Sequence, residues 1–118
     1  MLIGADLRDR WPAAGAAQAE PAELRVLRAG RRILERTPRL TVTRALNQAA
    51  GRGNSRLVLL ALDRLDAITL RAYRASFFDF EARPTTRPRE LLTVIDGAIA
   101  DLEATSDRRR AAAGAVPA

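Results

Sequence analysis

Three residue types are missing from this chain of 118 residues. There is no cysteine and no histidine, and all 20 basic residues are arginine, because lysine does not occur. These absences exclude a disulfide scaffold, thiolate chemistry, a zinc site built on Cys or His, and a Ser-His or Cys-His catalytic pair. Aromatic residues make up only 4% of the chain: Trp11, Tyr73, Phe77, Phe78 and Phe80. Long apolar runs are missing too. The longest, Leu57 to Leu62, falls far short of the ~18 residues of a membrane span. Met1 to Asp6 leads straight into Arg8, Asp9 and Arg10, so no secretory signal is expected and the cytoplasm is the expected location.

What is present is basic. With 14 acids the net charge is +6. The choice of arginine over lysine is what a GC-rich genome produces, together with the Ala-rich ends. Coding bias does not account for the excess of arginine over acid, nor for its placement along the chain.

The length suits one domain. Residues 1–20 are expected to be a flexible segment, low in complexity over 12–20, with Leu2, Ile3, Leu7 and Trp11 available to dock on the core or on a neighbour. Residues 105–118, with Arg108 to Arg110, read as a disordered basic tail. Residues 21–104 hold the fold.

The first helix is expected from Pro21 to Arg36, stopped by Thr37-Pro38. It buries Leu24, Leu27, Ile33 and Leu34 with Val26, and Gly30 on the same side invites close approach of another helix. A second runs from Val42 to Ala50, with Thr41 as N-cap and Gly51 in the left-handed C-terminal position. The third, Arg56 to about Ala67, is apolar almost all round over Leu57 to Leu62 and is placed at the centre. A fourth is expected over Thr69 to Phe78, separate or continuous with the third, burying Leu70, Tyr73, Phe77 and Phe78. Residues 79–87 read as a loop. Pro88 opens the last helix, to about Ala104, with Leu91, Ile95, Ala98 and Leu102 as its core stripe. The fold class is therefore all-α, a compact bundle of four to five short helices with flexible termini.

Charge is unevenly spread. Between Arg25 and Arg56 lie nine arginines and one acid, Glu35, a balance of +8; between Leu57 and Asp107 six arginines meet nine acids. Arg25, Arg28, Arg32, Arg36 and Arg39 recur in steps of three and four and form a stripe opposite the leucines. With Arg52 and Arg56 they are the candidate partner- or phosphate-binding residues.

Other motifs point to less. The second helix, the Gly51–Ser55 turn and the third helix have tolerable helix-turn-helix spacing at Ala49, Gly53, Leu59 and Leu62. The third helix, however, would show Leu57 and Leu60 to base edges, with only Ser55, Arg56 and Arg64 able to hydrogen-bond. Gly51 to Ser55 lacks the lysine and glycine spacing of a phosphate loop and reads as a helix–helix turn. Asp79, Glu81, Asp96 and Asp101 have no spacing that demands a metal. Leu62 to Asp66 resembles a stretch of helical chorismate mutases, but the lysine of that active site has no counterpart. Asp63 and Asp66 read instead as solvent-facing acids.

Leu27 to Glu35, Arg44 to Gly51, and Phe78-Asp79-Phe80 with Thr86 to Leu91 resemble a family of small helical proteins of actinobacteria and their phages. The tryptophan and asparagine of its third motif are Phe78 and Asp79 here, and the glycine of its second is Arg44. The resemblance implies a helical fold and that kind of source, and no activity.

The reading from sequence is a non-enzymatic regulatory or adaptor protein. It would bind an acidic partner protein, or itself, through the arginine face. The alternative is a DNA- or RNA-binding protein contacting phosphates through the same face; a small helical enzyme is third. No cofactor, metal, membrane or small-molecule substrate is inferred.

Overall fold

The computed structural model describes residues 20–114, and these form an all-α bundle of five helices with no strand among them. Helix α1 spans Ala22–Arg36, α2 Val42–Ala50, α3 Ser55–Tyr73, α4 Phe77–Ala82 and α5 Pro88–Gly114. The N-terminal segment, with Leu2, Ile3, Leu7 and Trp11, lies outside the described residues apart from Glu20.

Local chemistry accounts for the helix ends. Pro21 caps α1, Glu23 lies in its first turn and Arg36 in its last, each charge opposing the pole of the helix dipole beside it. In α2 the Thr41 hydroxyl accepts from the Arg44 N–H at 3.2 Å, and Gly51 takes φ 81°, a region that favours glycine. Leu46 of α2 packs straight onto Gly30 of α1, the close approach that the glycine invited.

Helix α1 packs on α2, α3 and α5, while α3 packs on α1, α2, α4 and α5. The core joins Leu24, Leu27 and Leu34 of α1, Val42, Ala45 and Leu46 of α2, Val58, Ala61, Leu62 and Leu65 of α3, Phe77 and Phe80 of α4, and Val94, Ile95, Ala98 and Leu102 of α5.

Several expectations are corrected. Of the two alternatives for Thr69 to Phe78, the structure has the continuous one, with the third helix running to Tyr73; Phe77 and Phe78 instead open the next helix. The third helix is not buried all round: Leu59 is 62% exposed and Leu60 42%. Among the described residues the neighbours of α3 leave this side of it uncovered. Leu70, Tyr73 and Phe78 are likewise exposed, whereas Phe77 and Phe80 are buried.

Residues 79–82 belong to α4 rather than to a loop. Two caps hold its start: the Ser76 hydroxyl accepts from the Asp79 N–H at 3.2 Å, and Asp66 Oδ1 accepts from the Phe77 N–H at 2.7 Å. Asp66 is therefore a partly buried cap, not a solvent-facing acid; Asp63 is exposed as expected. The last helix, expected to stop near Ala104, continues to Gly114. The Ala-rich sequence there has high helix propensity, and Arg108 and Arg110 bond to Thr105 and Asp107 three residues back.

Candidate functional site

The arginine stripe of α1 divides in three dimensions. At 100° per residue, Arg25, Arg32 and Arg36 nearly overlie one another on the outer face, while Arg28 and Arg31 turn toward α5. Both of the latter meet acids there. Arg28 is half-buried and holds the carboxylates of Glu20 and Glu103 together. Arg31 Nε lies 2.5 Å from Asp96 Oδ1, and its Nη1 lies 2.8 Å from Glu35 Oε2 one turn along α1. The hydrogen bond to Asp96 first, and that to Glu35 second, push the Arg31 guanidinium above its usual pKa. Arg28 is thus corrected from a free contact residue to an internal tie between the start of α1 and α5.

The other predicted residues are outward. Arg25 is exposed and donates to the Glu20 carbonyl at 3.0 Å. Arg32, Arg36 and Arg39 are exposed, as are Arg52 in the α2–α3 turn and Arg56 in the first turn of α3. None of these five has an ion pair among the described residues. Arg44 joins them. It shares the open face of α2 with Asn47 and Gln48, opposite the buried Val42, Ala45 and Leu46. Arg44 belongs to the basic segment of the sequence but is not among its candidate site residues. The signal was available, since 44, 47 and 48 stand at one-turn spacing on the side away from the apolar positions.

Between α1 and the α2–α3 junction runs a groove of about 560 Å³. Arg25, Arg28 and Arg32 line it from α1; Ala49, Ala50 and Leu57 supply apolar surface from the other side. Asn54 also lines it and does not cap α3 with its side chain. Its amide donates back to the Ala50 carbonyl at 2.7 Å, leaving the positive end of the α3 dipole open beside the arginines. Gly51 and Gly53 of this turn have φ of 81° and 79°, with open space where a Cβ would stand. Their positive φ is a backbone conformation that glycine adopts without strain.

The acids tell the complementary story. Glu23 pairs with Arg64 at 2.8 Å and Asp101 with Arg71 at 3.3 Å. Glu81 Oε2 accepts from the Val42 N–H at 2.7 Å, and Glu90 Oε1 from the Arg87 N–H at 2.9 Å. Most of the acidic second half is therefore occupied within the chain. Of the described acids only Asp63 and Asp79 have side chains with no hydrogen bond or ion pair.

The helix-turn-helix spacing is not satisfied. It needs Leu59 packed inward, and Leu59 is the most exposed of the exposed large apolar side chains. Among the described residues no group of three acids could hold a metal, and no helix is long and apolar enough to cross a membrane. No family profile, curated protein or solved structure matches the chain.

Proposed function

We propose that this is a non-enzymatic binding protein whose α1–α2 face receives nucleic acid through its phosphates. One observation carries the reading. Arg32, Arg36, Arg39, Arg44, Arg52 and Arg56 are exposed without ion pairs among the described residues, and the single acid of that segment, Glu35, is occupied by Arg31. A one-signed surface of this kind attracts a polyanion and releases its counterions. Among the described residues the large exposed apolar side chains all lie on α3 and α4, away from this face; the centre of a protein–protein interface calls for such residues. Binding would be to the backbone and tolerant of sequence. Regulation in the cytoplasm of a bacterium, or of a phage-infected cell, belongs to the same proposal.

A second reading keeps the acidic protein partner. The apolar side of the groove, Ala49, Ala50 and Leu57, favours it, because an acidic peptide with one aliphatic anchor would use both walls. Pairing of the basic half with the acidic half of another copy is disfavoured, since those acids are mostly engaged at home.

A gel shift with duplex DNA at two salt concentrations tests the first reading. Micromolar-range binding that weakens steeply with salt is expected. Absence of binding at low salt removes it.

A further inference from the structure

One side of α3 carries large apolar side chains that no other described element covers. Leu59, Leu60 and Leu70 are 62%, 42% and 50% exposed, and Tyr73 38%. At 100° per residue, Leu59, Asp63, Leu70 and Arg74 fall within a sector about 60° wide. They form one stripe, with Leu60 and Ala67 on one flank and Tyr73 on the other. Leu59 and Leu70 stand about 16 Å apart at 1.5 Å per residue. At its C-terminal end Tyr73 stacks on Phe80 at 4.3 Å, and the exposed Phe78 meets Phe77 edge-on at 6.4 Å. A cluster of exposed large apolar side chains on a small domain, rimmed and interrupted by charge, marks a contact surface.

The charges of the strip identify what fits it. Asp63 and Arg74, with Arg56 at the N-terminal end of the same face, are exposed and have no ion pair among the described residues. An antiparallel copy of α3, related by a two-fold axis level with Ile68 and Thr69, sets Asp63 opposite Arg74 twice. The same register sets the small Ala67 opposite Leu70 twice, so that each leucine enters the space the alanine leaves. A parallel copy would set Asp63 on Asp63 and Arg74 on Arg74. The face is thus self-complementary in the isologous sense that a two-fold dimer requires.

We infer that a second copy of this chain covers the C-terminal half of the α3 strip, in an antiparallel two-fold dimer held by Ala67 and Leu70 and registered by Asp63 with Arg74. Arg56, one of the basic-face arginines, shares this side of α3 but falls beyond the overlap of the two helices, so the contact uses none of Arg25, Arg32, Arg36 or Arg56 and stands or falls apart from nucleic-acid binding.

Sedimentation equilibrium of the full chain, without nucleic acid, from low micromolar to several hundred micromolar tests it. Twice the chain mass is expected. Leu70→Glu should sediment at the chain mass over the same range, with an unchanged helical circular dichroism spectrum. Asp63→Arg should weaken the dimer at least tenfold, and adding Arg74→Asp should restore it. A wild type that stays at the chain mass overturns the proposal, as does a dimer that Leu70→Glu leaves intact. Failure of the charge swap to restore association overturns the antiparallel register. A monomer in which Leu70→Glu shifts the emission of Trp11, the only tryptophan, would place the chain's own N-terminal segment on this face and overturn it too.

Discussion

The Cδ2 of Leu46 lies 2.8 Å from the point where a Cβ on Gly30 would stand. Both residues are buried, Leu46 completely. The glycine is therefore a contact residue of the α1–α2 interface, although it has no side chain.

Gly30→Ala sets two effects against each other. Alanine gains about 1 kcal/mol of helix propensity, while overpacking a filled site costs about 1–3 kcal/mol. The clashing atom is the end of a flexible side chain, which must turn away, so a net change of no more than about 1 kcal/mol is expected in urea unfolding. Leu46→Ala alone should cost about 2–5 kcal/mol. The double variant should lose less than the two together, since the shortened side chain relieves the clash.

Glu81 reaches from α4 to the first N–H of α2. It supplies an acceptor and a negative charge at a helix N-terminus. Glu81→Ala should lose about 1–2 kcal/mol, and Glu81→Gln less, because the amide oxygen still accepts. Thermal unfolding of the two variants separates the hydrogen bond from the charge. Equal losses would show that the negative charge at the helix N-terminus, not the hydrogen bond, carries the effect.

The Arg31–Asp96 pair joins helices far apart in sequence, but its side chains are 30% and 51% exposed. Solvent screens a pair of that kind. Asp96→Asn should cost no more than about 1 kcal/mol, and the difference should shrink in molar salt. A large, salt-independent loss would contradict this.

Arg74 ends α3 in the left-handed conformation, φ 56° and ψ 39°, which costs a side-chain-bearing residue about 1 kcal/mol or more. Arg74→Gly should raise stability by about 0.5–1 kcal/mol. The comparison belongs in the Leu70→Glu background, where association of the strip cannot obscure it. A destabilised glycine variant would mean that the arginine side chain makes a contact worth more than the strain.

For nucleic-acid binding, Arg32→Glu with Arg36→Glu should weaken duplex affinity at least tenfold and lower the slope of log affinity against log salt by about two. Circular dichroism should be unchanged. Arg28→Glu is a different experiment, because it places a third carboxylate beside Glu20 and Glu103, and lost stability is its expected signature.

Much of the bundle was legible in order along the chain. Thr41 and Gly51 marked both ends of α2, Pro38 and Pro88 bounded their helices, and Gly30 announced a close approach, because caps, prolines and glycines act through neighbours a few residues away. The Ser76–Asp79 start of α4 was legible in principle, as a hydroxyl residue three before an acid, although the aromatic cluster and the expected loop hid it. The exposed side of α3 had a signal too: Arg56, Asp63 and Arg74 share one face with Leu59 and Leu70.

By itself the sequence determined the helical class, most helix boundaries, and a basic first half against an acidic second half. Those properties follow from local periodicity and from counting. Only the tertiary structure decided which charges remain available. Arg28 and Arg32 look alike at spacings of three and four, yet the first faces Glu103 across 75 residues and the second faces solvent. Likewise Leu59 and Leu62 read as one apolar run, and only the placement of the neighbouring helices leaves the first open and the second buried. A residue's periodicity gives its angle on its own helix, and the fold supplies what stands at that angle.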